Sequence, residues 1–409
     1  MSSEQLAAAG QQPSRQGPRL QGLKVLHVCI HGMTFETCVQ GLAEQQMREG
    51  CEVELACRRD EVSERMAAQG FKVHFMDIPP TFTKPLQSLR AMGQLRELIR
   101  RGGYDLVHSH TPLGGLHVNF VAKQGGARHL FYTVLGAYYM APWNPLKRWI
   151  VTNVHIKVVK RADLVFAVAQ HLREYLVSRG VRQERIVTLP GPGTNLERFS
   201  VDEDTRRQWR EETRRQLGIP DDARVIVIVA RVVPDKGIDE LISALPMVRR
   251  RIPEARLLIV GNGPAEEPYR ELAEEKGVAE AVTFAGWQPQ EAVPRYLAAA
   301  DVFALPSHRE GLPLSPVEAW AVGLPVVMAD IPPARELVDD GVNGLIVPVK
   351  AVEALADALV ELLADERKAR ALAEKGKERA GQYSLKESVR RQIEAYWRYL
   401  EAAGWKPRG

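Results

Sequence analysis

The sequence predicts an α/β protein made of two doubly wound, Rossmann-like domains that face a cleft. Three observations carry this expectation. The chain has 409 residues, too long for one ordinary core. Short apolar runs alternate with longer amphipathic ones, which marks βαβ units and a parallel sheet covered on both faces. The alternation breaks once, at the charged stretch Asp202–Gln216 and the sequence Leu217-Gly218-Ile219-Pro220-Asp221-Asp222, and then begins again.

Taken in order, Lys24–Ile30 reads as a buried first strand, followed by a loop and a helix over Phe35–Glu49. Val53–Ala56, Val73–Met76, Leu106–His110 and Leu130–Val134 continue as strands, with Leu86–Arg101 as an intervening helix; Leu164–Ala169 and Ile186–Leu189 follow. After the break come strands at Val225–Ala230, Arg256–Val260, Val282–Ala285, Val302–Leu305 and Pro325–Met328. Helices at Gly237–Arg251, Tyr269–Lys276, Ala292–Ala299, Pro316–Val322 and Ala351–Ala364 separate or follow them, and Leu385–Glu401 closes the chain. The resulting boundaries are a loose tail over 1–21, a first domain over 22–200, a linker over 201–222, a second domain over 223–384 and a closing helix over 385–409. In such sheets ligands bind beyond the carboxyl ends of the strands.

Composition narrows the function classes. Four cysteines fall within the first 60 residues without CxxC spacing, which speaks for thiols in a reducing compartment rather than for a disulfide framework or a zinc site. The polar N-terminus lacks the apolar segment of a signal peptide, and no apolar run reaches the roughly 18 residues a spanning helix needs, so the chain is expected in the cytoplasm. The net charge of +4 is unevenly spread: residues 1–195 carry 24 Lys and Arg against 15 Asp and Glu, and the remainder 31 against 36. Lys84, Arg90, Arg96, Arg100 and Arg101 form one basic cluster; Lys147, Arg148, Lys157, Lys160 and Arg161, near Trp143 and Trp149, form another. Basic residues beside tryptophan suit an anionic membrane surface or a phosphorylated ligand, while a solvated helix face is the structural alternative. No nucleic-acid-binding signature accompanies them, so nucleic acid is not an expected partner.

The chemistry concentrates in the second half. Arg231 and Lys236 follow directly on the Val225–Ala230 strand, where fixed cations can stabilise a departing diphosphate in the transition state. Gly237 permits close backbone approach at the next helix start. Glu310 and Glu318, separated by seven residues, provide carboxylates for hydroxyl groups, and the N–H groups of Gly311 and Leu312 can face a sugar or its phosphate. Together these predict a nucleotide-sugar site. For Glu318 a structural role competes, because Ser315-Pro316-Val317-Glu318 has the form of a capping box. A glycosidase pair would not need the two cations. Gly261-Asn262-Gly263-Pro264 lacks the third glycine of a dinucleotide fingerprint. His108 and His110 share one strand face, but two histidines make a poor metal site.

From Val225 to Gly344 the sequence resembles the C-terminal domain of the family 4 retaining glycosyltransferases with the GT-B fold. The matching marks are Ala230-Arg231…Lys236-Gly237, Val260-Gly261-Asn262-Gly263-Pro264, Ala299-Ala300-Asp301-Val302-Phe303, the Glu310/Glu318 pair and Ala329-Asp330…Gly344. The N-terminal half is similar to that family's capsular and exopolysaccharide branch through Leu26-His27-Val28, Asp105–Pro112, Tyr132-Thr133-Val134 and Gly191-Pro192-Gly193-Thr194-Asn195…Phe199. The resemblance implies Glu310 on the donor sugar, Glu318 on the ribose, Arg231 and Lys236 on the diphosphate, and Gly32 and Gly261 near the donor. It also implies anomeric retention with no metal and no cofactor beyond the nucleotide-sugar co-substrate, UDP-linked. A lipid-linked or saccharide acceptor, peripheral docking at the inner face of the plasma membrane, and a closing helix with Trp397 that crosses back onto the first domain follow as well. Two departures stand out. The first strand–helix loop, His31-Gly32-Met33-Thr34, has one glycine where many members have two, and Leu135 stands where many have a histidine at the reaction centre. A 6-deoxy donor would tolerate the leucine, or His31, His110 or Tyr138 would substitute on the acceptor side. A catalytically silent nucleotide-sugar-binding protein is the alternative.

Overall fold

The computed structural model describes residues 19–79, 84–136, 139 and 144–407. It contains two compact units. One comprises the chain up to Gly193 together with the residues from Lys386 onward; the other is Thr194–Leu385.

The first unit is built on seven strands: β1 (Lys24–Val28), β2 (Glu52–Cys57), β3 (Lys72–Phe75), β4 (Leu106–His110), β5 (His129–Val134), β6 (Leu164–Ala167) and β7 (Ile186–Thr188). Their order is β3-β2-β1-β4-β5-β6-β7, and every pairing is parallel. Period-two alternation sends successive side chains to opposite faces. On one face Leu26, Val28, Val107 and Leu130 pack with Ala91, Leu95 and Ile99 of the helix Pro85–Gly102. On the other, His108, Phe131 and Phe166 meet the closing helix Leu385–Ala402. Its anchor is Tyr396, fully buried and 4.8 Å from the Phe131 ring, whereas Trp397 is only half-buried. Burying one such aromatic side chain contributes about 1.5–3 kcal/mol. The helix therefore belongs to the first sheet's core, as the resemblance implied, but through a different aromatic residue.

The second unit has six parallel strands: β8 (Arg224–Val229), β9 (Ala255–Val260), β10 (Val282–Gly286), β11 (Val302–Leu305), β12 (Val326–Ala329) and β13 (Leu345–Val347), in the order β10-β9-β8-β11-β12-β13. The sheet reverses its winding between β8 and β11. Strand β13, three residues between Gly344 and Pro348, was not anticipated because so short a run has no readable period.

Two further expectations are corrected. Residues 203–217, read as linker, form a helix of the second unit, capped at its start by Asp202 and fixed by the buried side chain of Arg214. Arg214 donates from Nε to Ala299 O (2.9 Å), from Nη1 to Asp221 O (2.9 Å) and Ala223 O (3.0 Å), and from Nη2 to Asp301 Oδ2 (3.0 Å). Asp301 also accepts from Arg210 at 2.8 Å and from the Val225 N–H at 2.7 Å, joining helix and sheet. The single helix expected over Phe35–Glu49 is two, Gly32–Cys38 and Gln40–Arg48, interrupted where Val39 leaves helical geometry at φ −125°.

One buried carboxylate makes the first unit acid-sensitive. Glu54 on β2 accepts from Lys72 Nζ (2.8 Å) and Tyr104 Oη (2.5 Å) and lies 2.6 Å from His74 Nε2. Burial opposes its charge, but these partners outweigh burial and hold the carboxyl down at about 2, against an ordinary 4.5. A depressed folded-state value means the stabilisation is present above about pH 4.5 and is lost as pH falls toward 2. We expect the melting temperature to fall across that window and Glu54→Gln to flatten the dependence; thermal melts at a series of pH values check this.

Candidate donor site at the sheet reversal

Where a doubly wound sheet reverses, two neighbouring loops leave in opposite directions and open a crevice at the carboxyl edge. In the second unit those loops follow β8 and β11; the first carries Arg231 and Lys236, the second Glu310, and Lys236 and Glu310 meet. Lys236 Nζ donates to Glu310 Oε1 at 2.5 Å, and the Ser307 hydroxyl donates to the same oxygen at 2.8 Å. Both members of the pair are mostly buried, with side-chain exposures of 15% and 10%. Glu310 Oε2 has no partner among the described residues and remains able to accept from a hydroxyl. Arg231 is exposed, and no carboxylate lies within ion-pair distance of its guanidinium among the described residues. One cation is thus held beside a carboxylate and the other is free.

The loops are stitched to each other before any ligand arrives. Arg309 Nε donates to Asp235 Oδ2 at 2.9 Å, and the His308 N–H donates to Asp235 O at 2.8 Å. A side chain at Gly237, where φ is +69°, would come within 2.3 Å of Pro306 O, so only glycine lets the loop after β8 approach the end of β11. Gly261 plays the same part toward β8: at φ +141° its Cβ would lie 1.9 Å from Ala230 O. Such loops are preorganised, and charges fixed in advance cost little reorganisation when a bond breaks.

Glu318 is buried, on the helix Ser315–Val322, and its Oε1 accepts from the Thr194 hydroxyl at 3.0 Å. The capping box expected there does not form. Leu314, not Ser315, is the N-cap, and its apolar side chain cannot accept a hydrogen bond; the Glu318 carboxylate is turned to Thr194. Burial raises the Glu318 carboxyl above its ordinary range; hydrogen bonds from Thr194 and Gln290 and the charge of Arg198 oppose the rise. The Gly311 and Leu312 N–H groups, just before this helix, donate to no acceptor among the described residues.

The two glycines expected near the donor differ from Gly311. The Gly32 N–H donates to Asp60 Oδ2 at 2.9 Å, and the Gly261 N–H to Gly286 O at 2.8 Å, so both groups are already satisfied. Their function here is close packing: a Cβ on Gly32 would lie 2.5 Å from Ser63 N. Of the acceptor-side residues, His31 is exposed at a helix start, 3.9 Å from Asp60, and burial and Arg58 lower its imidazole below the ordinary value. His110 is not on a surface at all; it is 1% exposed and hydrogen-bonded to His27 at 3.0 Å. Tyr138 lies outside the described residues. Leu135, half-buried, directly follows β5 at its carboxyl end. Sequence reasoning missed Thr194, although it sits in a motif it had singled out, and Ser307; neither type announces that its hydroxyl will serve a carboxylate.

The loop after β8 offers two cations, one of them paired with the Glu310 carboxylate, and a second, buried carboxylate sits on the helix Ser315–Val322. That set suits an anionic group attached to a polyol. Residues 209–379 match the family described as glycosyl transferases group 1, and residues 34–192 match a glycosyl transferase 4-like domain. Among relatives, a GDP-mannose-dependent α-(1-6)-phosphatidylinositol monomannoside mannosyltransferase of Mycolicibacterium smegmatis is 33% identical over 325 residues, covering 78% of this chain and 81% of that one. A D-inositol 3-phosphate glycosyltransferase of Nocardia farcinica is 32% identical over 325 residues, covering 75% and 68%. Among solved structures, Anabaena HepE in complex with UDP and glucose shares the fold with a TM-score of 0.76 at 22% identity, covering 91% of this chain and 99% of that one.

Proposed function

Because the chain belongs to the GT-B glycosyltransferases of the family 4 type, we propose that it is a retaining transferase acting on a nucleoside diphosphate sugar. The observation that carries the reading is the Lys236–Glu310 pair at the sheet reversal, with an exposed Arg231 on the same loop as Lys236. Lys236 and Arg231 hold the diphosphate and stabilise the charge it gains as the bond to the anomeric carbon breaks. Glu310 orients the sugar, and Glu318 accepts from the ribose hydroxyls. A donor phosphate oxygen takes the acceptor's proton, so the transfer step needs no metal ion. UDP is the proposed nucleotide carrier. GDP is the second reading, favoured by the GDP-mannose dependence in the name of the 33%-identical relative. The test is nucleoside diphosphate release across UDP-, GDP- and ADP-sugars, 6-deoxy donors included. Release from one donor class supports transfer; tight binding without release from any donor supports the silent reading that Leu135 motivates.

The proposed acceptor is lipid-linked or a growing surface saccharide, such as a capsular or exopolysaccharide, met at the cytoplasmic face of a membrane. No helix among the described residues is long and apolar enough to cross one. Support comes from the starts of two helices, Pro85–Gly102 and Pro145–Arg161. There Leu86, Leu89, Leu146, Trp149 and Ile150 are exposed large hydrophobics, flanked by exposed Lys84, Arg90, Lys147 and Arg148. Apolar side chains ringed by cations suit insertion among anionic headgroups. We expect co-flotation with phosphatidylglycerol vesicles, not with phosphatidylcholine vesicles, and loss of flotation in Trp149→Ala/Ile150→Ala. Equal behaviour on both lipids would remove this part of the proposal.

A further inference from the structure

Three imidazoles meet inside the first unit, a cluster that the transfer reaction does not use. His27 on β1 and His108 on β4 are register partners, and His110 lies two residues further on the same face of β4. All three are at most 1% exposed, and one nitrogen from each lies within 4.8 Å of the others. The third histidine is what two-residue spacing on a single strand could not reveal, since it arrives from a neighbouring strand.

The rings are held from outside. His27 Nε2 faces Gln46 Oε1 at 2.7 Å, and His108 Nε2 faces Thr133 Oγ1 at 2.7 Å. These contacts leave the Nδ1 atoms of both rings directed inward: His27 Nδ1 lies 3.0 Å from His110 Nε2, and His108 Nδ1 meets the hydroxyl of Tyr396. With Gln46 Oε1 accepting, the His27 proton sits on Nε2 and His110 donates from its Nε2. His110 Nδ1 is then a buried lone pair without a partner among the described residues.

We propose that His27, His108 and His110, with the Tyr396 phenol as fourth ligand, bind one transition-metal ion of the zinc class that clips the closing helix to the first sheet. Tetrahedral zinc with imidazole needs ligand nitrogens roughly 3.3 Å apart, close to the 3.0 Å between His27 Nδ1 and His110 Nε2; with Nε2 on the ion, the His110 proton would sit on Nδ1. Gln46 and Thr133 supply the outer hydrogen bonds that orient metal-bound imidazoles. The ion is structural: Arg231, Lys236, Glu310 and Glu318 all belong to the other unit.

The experiment is metal analysis of full-length protein without a polyhistidine tag, expressed in zinc- or cobalt-supplemented minimal medium so that the ion can enter during folding. One ion per chain is expected, with visible ligand-field bands for cobalt and a lowered melting temperature after chelation. Tyr396→Phe should retain the ion but shift the cobalt bands. Gln46→Leu, which removes the acceptor from His27 Nε2 without touching a ligand nitrogen, should weaken binding about 10–100-fold. Wild-type protein that contains neither metal and melts identically with and without chelator overturns the proposal, whatever the variants do. Unchanged cobalt bands in Tyr396→Phe overturn the phenol's part in it.

Discussion

Lys236→Ala is expected to lower kcat for sugar transfer about 10²–10³-fold, as removal of one preorganised charge stabiliser does elsewhere. The lysine is fixed before the donor binds, by Glu310 at 2.5 Å and by a loop that Gly237 and Asp235 hold against the end of β11. Its stabilisation therefore acts on charge that develops only as the diphosphate departs, and the loss belongs in kcat rather than in KM alone. Glu310→Ala removes the partner as well as the sugar contact, so the double variant should be much less impaired than the product of the two single effects. Steady-state kinetics on the donor identified by nucleotide release makes the comparison. Multiplicative losses would mean that the two side chains act independently, and an unchanged kcat in Lys236→Ala would remove Lys236 from the reaction.

The second large effect is on folding. Arg214→Ala should destabilise the second unit by about 3–5 kcal/mol, the range seen when one member of a buried ion pair is deleted. The guanidinium serves Ala299, Asp221, Ala223 and Asp301 at once, so its loss leaves carbonyls without donors and Asp301 with less charge compensation. Lysine would not rescue it, because a single ammonium cannot reproduce a planar fork. Urea unfolding followed by circular dichroism gives the difference, and adding Asp301→Ala should cost less than the two separate losses summed. A midpoint within error of wild type would show that the helix over 203–217 is an appendage rather than part of the core.

Much of this architecture was legible because apolar runs and their spacing carry it. Among the described residues, twelve of the thirteen strands coincide with runs read from the sequence to within a few residues. The helix over 203–217 was misread because Glu203, Asp204, Arg206, Arg207, Arg210, Glu211 and Glu212 look like a solvated linker. What places it is Arg214, a charged residue that pattern reading assigns to the surface. Arg231, Lys236 and Glu310 could be named as candidates together, since they lie in loops that follow strands of the second sheet. Their pairings could not: that Lys236 would hold Glu310, or Thr194 hold Glu318 from 124 positions away, depends on loop geometry that no periodicity encodes. His110 failed as an acceptor-side residue for a related reason. The sequence puts it at the end of a strand, but only the packed sheet shows that end to be covered.

The closing helix has a consequence for biosynthesis. Translation delivers the seven strands of the first sheet well before residues 386–402, yet Tyr396 and Ser388 of that helix complete its face, the latter through a 2.9 Å bond to Gly191 O. The second unit, Thr194–Leu385, is continuous in sequence and can finish on the ribosome. The domain begun first is therefore finished last, with Phe131 and Phe166 uncovered throughout the synthesis of its neighbour. In that interval a nascent chain presents apolar surface to chaperones, and a truncated chain presents it permanently.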